Sequence, residues 1–280
     1  MKRPCLVCGG RHGPSSLPGL AACESCGFVS ADLEISPDEL RALYAERYFT
    51  GGEYKDYVAE RRLHEKHFLR RLKLLLRYVS QPETKTLFEV GCAYGFFLNL
   101  ARERFRAVQG IDISGDAARY ARDILNLNVT AGDLLQQDSI GNPDVVCLWD
   151  TIEHLDRPDA YLQKLSAVMP KGSIIALTTG DIGSLVARFR GSHWRQIHPP
   201  THLHYFSAAT LAALLRNCGF EVFHTDHEGT YRSLDTAAYI ILNIKHRKPE
   251  LYQMLKKTGL LRITFYLNLY DIVLLLARKC

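Results

Sequence analysis

The pattern of apolar and polar positions divides the chain into three stretches. Residues 1–30 carry almost no periodic apolar pattern. Residues 37–80 place apolar side chains at helical spacing, as at Phe68 and Leu72, which predicts helices. From Thr86 onward, short apolar runs alternate with amphipathic segments. This alternation is typical of parallel βαβ units whose helices cover both faces of one sheet.

The short apolar runs mark the strands of the predicted sheet, and the segments between them mark its helices. The predicted strands are 87–90, 107–111, a brief segment around Val129, 145–149, 174–177, 220–225 and 272–277. The predicted helices of this part are 96–104, 115–125, 158–169 and 208–218, the last closed by Gly219. The expected fold class is therefore α/β, with a doubly wound, mostly parallel sheet of seven strands.

We expect three parts along the chain: a small cysteine-rich module at 1–30, a helical linker or cap at 31–82 and a catalytic-sized domain at 83–280. The first part is too small to bury enough surface to fold unaided, so a metal ion would have to hold it together. The last part contains a long, mixed insertion at 232–265. Apolar residues of this insertion could shape an acceptor pocket, form a dimer contact or admit a lipid-like acceptor.

Composition and charge exclude several classes of protein. The 280 residues are 47% hydrophobic and 23% charged, close to the usual globular mix, which excludes wholesale disorder. The net charge of +5, from 35 basic and 30 acidic residues, is too mild for a nucleic-acid-binding signature. There is no apolar run long enough to predict a spanning helix and no secretory h-region at the N-terminus, so we expect a cytoplasmic protein.

A cluster of basic residues lies in the predicted helical stretch. Its members are Arg61, Arg62, Lys66, Arg70, Arg71 and Arg77. Charged residues spread along a helix most often form its solvated face. We therefore expect these side chains to point into solvent rather than to form a binding patch.

Four of the eight cysteines form two closely spaced pairs. Cys5 and Cys8 form the first pair, Cys23 and Cys26 form the second, and a glycine follows each pair. This spacing lets both sulfurs of a pair reach one ion, and the glycine can adopt a positive φ as the chain wraps the metal. The pattern predicts a tetrahedral Zn²⁺ site, which would be structural because four protein ligands leave no open position. The other four cysteines are scattered, and a chain without a secretory signal is a poor candidate for disulfides.

Acidic residues lie at the ends of the predicted strands. Glu89 precedes a glycine turn, and Asp112, Asp133 and Asp150 end the next three strands. The strand ends of an open parallel sheet meet at one crevice. There, Asp112 could accept both hydroxyls of a ribose and Asp133 would lie near an adenine edge. Glu89 and Asp150 could hold a cationic amine, so the set favours S-adenosylmethionine, which has these parts and no phosphate.

Two observations bear on other interpretations of this crevice. Each glycine could simply serve a turn, and each aspartate could cap a helix, so the signal lies in the whole set rather than in one residue. Ala93 and Phe96 occupy glycine positions of the dinucleotide-binding fingerprint. A nicotinamide-dependent dehydrogenase is therefore disfavoured.

Four motifs in this part resemble, in order, those of the class I S-adenosylmethionine-dependent methyltransferases. The motifs are FEVGCAYG, GIDIS, AGD and DVVCLWDTIEHL, within residues 86–225. The resemblance implies a Rossmann-like fold with an antiparallel final strand. It also implies which residues contact the cofactor. The methionine end would be lined by Glu89, Gly91, Ala93 and Gly95, and the ribose would be bound by Asp112. The adenine would contact Asp133 and Leu134, and the sulfonium side would contact Trp149 and Asp150.

The segment HLHYFS resembles the small-molecule branch of this family, which includes ubiquinone-type O-methyltransferases and sugar C-methyltransferases. Some of the sugar enzymes also begin with a zinc-binding cysteine module and continue with a tyrosine-rich helix, as here with Tyr44, Tyr48, Tyr54 and Tyr57. They carry Tyr-x-Glu-His before Tyr-Phe-Ser. In this chain His202 matches that histidine, but Pro199 and Thr201 replace the tyrosine and the glutamate. We expect O- or C-methylation of a small molecule.

Methyl transfer from a sulfonium is an in-line displacement, so positioning alone can lower much of the barrier. A base is needed only if the acceptor must lose a proton. Two histidines are candidates for that role. His202 is the first, and His154, just beyond the fourth strand, is the second.

Two further functions are alternatives. The chain could be an RNA methyltransferase that grips its substrate with the cysteine module, although that module has few basic residues and one aromatic residue, Phe28. It could instead be a non-catalytic binding module in which the cysteine module and the insertion dock a partner. Neither the charge nor the motifs favour nucleic acid as a partner.

Overall fold

The computed structural model describes residues 4–33, 35, 36, 39, 42, 43, 57–239, 241, 242 and 246–280. Most of the first half of the predicted helical stretch, with Tyr44, Tyr48 and Tyr54, lies outside these residues. The second half contains a helix of fifteen residues, Arg61–Leu75, as the spacing of its apolar side chains predicts.

Strands and helices alternate through most of the described chain. In chain order, the strands are β1 (His12–Pro14), β2 (Leu20–Cys23), β3 (Val29–Ala31), β4 (Thr86–Val90), β5 (Ala107–Asp112), β6 (Asn128–Ala131), β7 (Val145–Trp149), β8 (Ile174–Gly180), β9 (His204–Tyr205), β10 (Phe220–His227), β11 (Thr230–Ser233), β12 (Thr264–Leu267) and β13 (Ile272–Lys279). The α-helices are α1 (Arg61–Leu75), α2 (Phe96–Ala101), α3 (Gly115–Asp123), α4 (Pro158–Val168), α5 (Leu185–Arg190), α6 (Ala208–Asn217), α7 (Leu234–Ala238) and α8 (Pro249–Lys257).

The main sheet has seven strands in the order β10-β13-β8-β7-β4-β5-β6. Neighbouring strands from β8 to β6 pair in parallel, whereas β13 is antiparallel to both β10 and β8. The predicted α/β fold, with a doubly wound sheet and an antiparallel final strand, is confirmed. Every residue of β7 and β8 is buried, as expected for central strands that helices cover on both faces.

Alternate side chains of β7 pack into the two halves of the core, one on each face of the sheet. Val146 and Leu148 belong to a hydrophobic cluster that includes residues of α4 and α6. Cys147 and Trp149 belong to a second cluster, which includes residues of α1, α2 and α3. Because successive side chains of a strand point to opposite faces, one short apolar run supports both layers of helices.

The cysteine module is joined to the larger domain by a small sheet in the order β1-β2-β3-β9. β3 pairs antiparallel with β9, so that Val29 lies opposite Tyr205 and Ser30 opposite His204. Phe28 is fully buried, with its ring centroid 5.1 Å from that of Phe206. The sequence did not predict β9, because two residues are too few to show a period.

The two ends of the predicted insertion overlap β11 and β12, which pair antiparallel in a two-stranded sheet of their own. α7 and α8 lie between these two strands along the chain. The backbone N–H of Tyr231 in β11 donates to Nε2 of His67 at 2.9 Å. The insertion therefore contacts α1 rather than extending the main sheet.

None of the helices in the described part of the chain combines the length and the apolar character that crossing a bilayer requires.

We predict that Phe28→Ala will lower the free energy of unfolding by about 3–5 kcal/mol, because it empties a fully buried site between the cysteine module and the core. Phe189→Ala is the matched control, since Phe189 is 93% exposed and its loss should change stability by no more than about 0.5 kcal/mol. Urea unfolding of the full chain measures both values. Equal, small effects would show that the module is not packed as described.

Candidate active site at the strand ends

A cavity of about 540 Å³ lies at the carboxyl ends of β4, β5, β6 and β7. Parallel strands end at the same edge of a sheet, so the residues that follow them meet there. The predicted site residues that line this cavity are Glu89, Gly91, Ala93, Asp112, Asp133, Leu134, Trp149, Asp150 and His154. Gly95 and His202 are not among its lining residues.

The turn after β4 brings the backbone close to the neighbouring strand end. Gly91 has a φ of 70°, and a Cβ atom there would lie 2.5 Å from Oγ1 of Thr151. Only glycine fits both the conformation and the space. Gly95 starts α2 with a φ of 76°, and a Cβ there would meet Leu127 at 2.7 Å. Gly95 therefore serves the packing of α2 and not the cavity wall.

Asp112 ties the glycine turn to the end of β5. Its Oδ2 accepts a hydrogen bond from the Ala93 N–H at 2.7 Å, and its Oδ1 accepts one from the Ser114 N–H at 2.8 Å. Burial raises the pKa of Asp112 to about 6, although these two hydrogen bonds act in the opposite direction. A carboxylate offers about four lone-pair positions, so ionised Asp112 can accept further hydrogen bonds from a ligand.

Glu89 is a buried carboxyl group at the cavity wall. It is 2% exposed, and its Oε2 has no hydrogen-bond partner among the described residues. Burial, together with the charge of Asp112, raises the pKa of Glu89 well above its ordinary value. A buried polar atom without a partner costs free energy, which a ligand cation beside it would offset. Glu89 therefore fits the ammonium group of S-adenosylmethionine.

Arg71 of α1 is buried at the cavity wall, so the expectation of a solvated side chain is wrong for this residue. Its guanidinium donates to Oδ2 of Asp150 at 2.8 Å and, through Nε, to Oε1 of Glu228 at 2.8 Å. It also lies 5.2 Å from the ring centroid of Trp149. A helix pattern cannot reveal these partners, because they come from distant strand ends.

The same ion pair changes the role of Asp150. Burial alone would raise the pKa of Asp150, but the charge of Arg71 holds it below its ordinary value. Its Oδ1 also accepts a hydrogen bond from the Thr178 hydroxyl at 3.0 Å. Asp150 is therefore already compensated by the protein, and Glu89 is the better partner for a ligand cation.

Asp133 and Leu134 form the part of the wall that follows β6. Oδ1 of Asp133 accepts hydrogen bonds from the Leu135 N–H at 2.8 Å and from the Tyr161 hydroxyl. Leu134 is 1% exposed. An acceptor beside an apolar surface suits a purine ring with an exocyclic amine, while Asp133 also caps the short turn after β6.

His154 and His202 pack against each other with ring centroids 4.6 Å apart. Nδ1 of His154 lies 2.8 Å from the Thr201 carbonyl oxygen, and Nδ1 of His202 lies 2.8 Å from that of Gln196. Because a carbonyl oxygen can only accept, each Nδ1 donates, and each neutral ring has its lone pair on Nε2. Burial lowers the pKa of His154 to about 4 and that of His202 well below its ordinary value.

Glu153 precedes His154 in the same short turn and is 3% exposed. Its Oε2 has no hydrogen-bond partner among the described residues. Burial, followed by the nearby charge of Asp150, raises the pKa of Glu153 to about 8. A carboxylate oxygen of Glu153 and one ring nitrogen each of His154 and His202 lie within 4.8 Å of one another.

Aromatic side chains before and within α1 form a wall of the cavity that the sequence analysis missed. Tyr57, His64, His67 and Phe68 all line it. The Tyr57 and His64 rings stack with centroids 4.0 Å apart, and burial lowers the pKa of His64 to about 4. A usable signal was present, because residues 64, 67, 68 and 71 recur at helical spacing and so share one face of α1.

The four predicted ligand cysteines come together at one point of the cysteine module. Sγ of Cys5 lies 3.6 Å from that of Cys26, Sγ of Cys8 lies 3.4 Å from that of Cys23, and all four lie within 4.8 Å of one another. These distances are too long for disulfides and close to the edge of about 3.8 Å of a tetrahedral zinc–thiolate site. Gly9 and Gly27 have φ values of 72° and 73°, as predicted.

Comparison with known proteins agrees with this geometry. The sequence matches the family described as a methyltransferase domain over residues 59–225, more than half of the chain. No curated protein matches the sequence.

Several solved structures share the fold. One is magnesium protoporphyrin IX methyltransferase from Synechocystis PCC 6803 with bound SAH, at 15% identity and a TM-score of 0.55 over 86% of this chain and 100% of that chain. A second is an S-adenosylmethionine-dependent methyltransferase, possible histamine N-methyltransferase, from Thermotoga maritima, at 18% identity and a TM-score of 0.54 over 84% and 98% of the chains. A third is a chain of the complex between the Trm112 methyltransferase activator and a methyltransferase from Haloferax volcanii, at 17% identity and a TM-score of 0.57 over 80% and 94%.

The seven-stranded sheet and the acidic cavity at its edge define a class I S-adenosylmethionine-dependent methyltransferase. The chain belongs to the methyltransferase-domain family, and S-adenosylmethionine is its cofactor. At such low identities, the solved structures support the fold alone.

We predict that Gly91→Ala will destabilise the protein more than Gly141→Ala. Both glycines have a φ near 70°, so both substitutions force a left-handed residue, at a cost of about 1–2 kcal/mol. A Cβ at Gly141 meets no atom within 4 Å, whereas one at Gly91 meets Thr151, which adds about 1–3 kcal/mol. Thermal unfolding of the two variants measures the difference. Equal losses would show that the turn does not approach Thr151 closely.

Proposed function

We propose that the protein methylates an oxygen or carbon atom of a small molecule in this cavity. The observation that carries the proposal is the convergence of the strand-end carboxyl groups and the aromatic wall on one cleft of about 540 Å³. A volume of this order is typical of small-molecule sites. S-adenosylmethionine supplies the activated methyl group on its sulfonium.

The proposed cofactor contacts follow the chemistry of the lining residues. Asp112 accepts hydrogen bonds from the ribose hydroxyls, and Asp133 with Leu134 receives the adenine. Glu89 lies beside the ammonium group, where its unpartnered oxygen gains a charged donor. Trp149 and Asp150 line the sulfonium side, with Asp150 held in place by Arg71.

The acceptor side is proposed to be the wall formed by Tyr57, His64 and Phe68. Stacked rings offer apolar area with few donors, which suits an uncharged organic acceptor better than a polyanion. Within described residues 4–30, Arg11 is the only lysine or arginine. The described part of the cysteine module therefore lacks the basic surface that an RNA substrate needs.

We propose that the acceptor loses its proton at the His154 and His202 pair. His154 is the member that lines the cavity, and His202 lies against it. Both rings are oriented by backbone carbonyls, so each presents Nε2 as its lone-pair nitrogen. His202 would then orient His154, which differs from the order of the two residues that the sequence favoured.

We also propose that Cys5, Cys8, Cys23 and Cys26 hold a structural Zn²⁺ ion. The four sulfur atoms lie within 4.8 Å of one another, which supports this proposal, and four thiolates leave no position for a substrate. The ion would stabilise β2 and β3, and through the pairing of β3 with β9 it would support the segment that contains His202.

Asp112→Asn should weaken S-adenosylmethionine binding about 10- to 100-fold, the loss expected for one charge-assisted hydrogen bond. Because burial raises the pKa of Asp112 to about 6, its accepting, ionised form is present above that pH and is lost below it. Wild-type affinity should therefore fall as the pH drops through about 6, approaching tenfold per unit. Calorimetry at several pH values measures both effects.

The asparagine variant is also the control for pH, because the pH dependence that remains in it belongs to Glu89, whose pKa is also raised. Its affinity should therefore be weak and should fall less steeply below pH about 6 than that of the wild type. Calorimetry with NAD is the control for cofactor class. Tighter binding of NAD than of S-adenosylmethionine, or an asparagine variant with unchanged affinity and pH profile, would overturn the proposed cofactor site.

Cys26→Ser should weaken Co²⁺ binding and lower the intense thiolate-to-metal absorption that appears when Co²⁺ replaces Zn²⁺ in the cysteine module, because it removes one of four sulfur ligands. Cys280→Ser makes the same chemical change at an exposed cysteine far along the chain and should leave the band and the affinity intact. A wild-type protein without this band, or a Cys26→Ser variant with the intensity and affinity of the wild type, would contradict the zinc proposal.

A further inference from the structure

We propose that Glu153, His154 and His202 form a second metal site, for a divalent first-row transition-metal ion, beside the methyl-transfer cavity. One carboxylate oxygen and two imidazole nitrogens lie within 4.8 Å of one another. Two histidines and one carboxylate are a known ligand set for ions of this class, and they leave coordination positions open.

The orientation of both imidazoles supports this assignment. Each Nδ1 is held by a backbone carbonyl, that of Thr201 for His154 and that of Gln196 for His202, both at 2.8 Å. A metal-ligating histidine characteristically donates its other ring N–H to such an acceptor, which sets the tautomer and the direction of the ring. Here that arrangement makes Nε2 the ligand atom of both rings.

The Glu153 carboxyl group is the second, independent observation. It is 3% exposed, and its Oε2 has no hydrogen-bond partner in the part of the chain that the structure describes. Buried polar atoms are rarely left unsatisfied, and a coordinated cation would supply the missing partner. Glu153 and His154 are adjacent in one short turn, whereas His202 comes from the segment before β9.

The position of the site indicates what an ion there could do. His154 lines the cavity, so an ion bound to its Nε2 would lie between the cluster and the cavity. A divalent ion lowers the pKa of a bound oxygen ligand. This role rests on the proposed function, because an acceptor hydroxyl would be the bound oxygen ligand, whereas the metal site itself does not depend on the proposed function. The base role of the two histidines belongs to the metal-free protein. With an ion bound, both imidazoles are ligands, and the proton of the coordinated hydroxyl passes to water.

This site differs in chemistry from the four-cysteine site of the cysteine module. Thiolates favour Zn²⁺ and give intense near-ultraviolet bands with Co²⁺, whereas nitrogen and oxygen ligands give only weak visible bands. The two sites can therefore be followed separately in one sample. The competing interpretation is a metal-free cluster, in which a protonated Glu153 donates to one of the imidazoles.

The test is a titration with Co²⁺ of the full-length protein that carries one equivalent of Zn²⁺ per chain in its cysteine module, so that no excess Zn²⁺ occupies the second site. We expect one additional Co²⁺ per chain, with weak visible bands and no new thiolate band. Glu153→Gln keeps the shape of the side chain and removes its charge, and His202→Ala removes one ligand. Each should weaken Co²⁺ binding at least about 100-fold. Even the loss of a residue that only hydrogen-bonds to a metal ligand lowers metal affinity about 10- to 100-fold.

His193→Ala is the matched control, because it removes an exposed histidine from the same part of the chain and should leave Co²⁺ binding unchanged. Wild-type protein that binds no Co²⁺ beyond the cysteine module, or a Glu153→Gln variant that binds it as the wild type does, would overturn the proposal. Calorimetry of S-adenosylmethionine binding to the same samples shows whether the cofactor site is intact. Failure of the metal site can thus be told apart from failure of the methyltransferase assignment.

Discussion

The structure depends on how acidic groups are accommodated where the strands of the main sheet end. Glu89, Asp112 and Glu153 are buried there, and Asp150 lies among them. Among the described residues, Arg71 is the only buried lysine or arginine. Coulomb repulsion between buried carboxylates is strong at low effective dielectric, so the cluster persists only with protonation, backbone hydrogen bonds or a cation. This constraint makes the strand ends a suitable place for a cationic ligand.

Each acidic group satisfies this constraint in a different way, and the difference assigns its role. Asp150 forms an ion pair with Arg71, so part of its role is to stabilise the cavity wall. Asp112 is held by two backbone N–H groups and keeps lone pairs for a ligand. Glu89 and Glu153 each have an oxygen without a partner in the described chain. The two unsatisfied oxygens are the positions at which we propose an external positive charge, the cofactor ammonium at Glu89 and a metal ion at Glu153.

The cysteine module contributes to this site although none of its residues in 4–30 lines the cavity. β3 pairs with β9, Ala31 donates to the Leu203 carbonyl at 2.8 Å, and Ser30 lies within hydrogen-bond distance of His204. These contacts hold the segment that presents His202. Through these contacts a small module can position a loop that contains no apolar periodicity of its own. Its separation from the larger domain in sequence therefore does not mean separation in structure.

The sequence by itself determined the α/β sheet and the cysteine pairs, because these depend on local patterns: apolar runs, glycine turns and ligand spacing. The antiparallel last strand followed from the family resemblance of its motifs and not from a local pattern. It also indicated the strand-end carboxyl groups, since parallel strands must end at one edge. Only the tertiary structure decided that Arg71 is buried, that Gly95 serves packing and that Glu153 joins His154 and His202. Those facts rest on contacts between residues about 30 to 160 positions apart, whose partners no local pattern specifies. Burial and partnership, not residue type, set the charge of each group, and both arise only when the chain is packed.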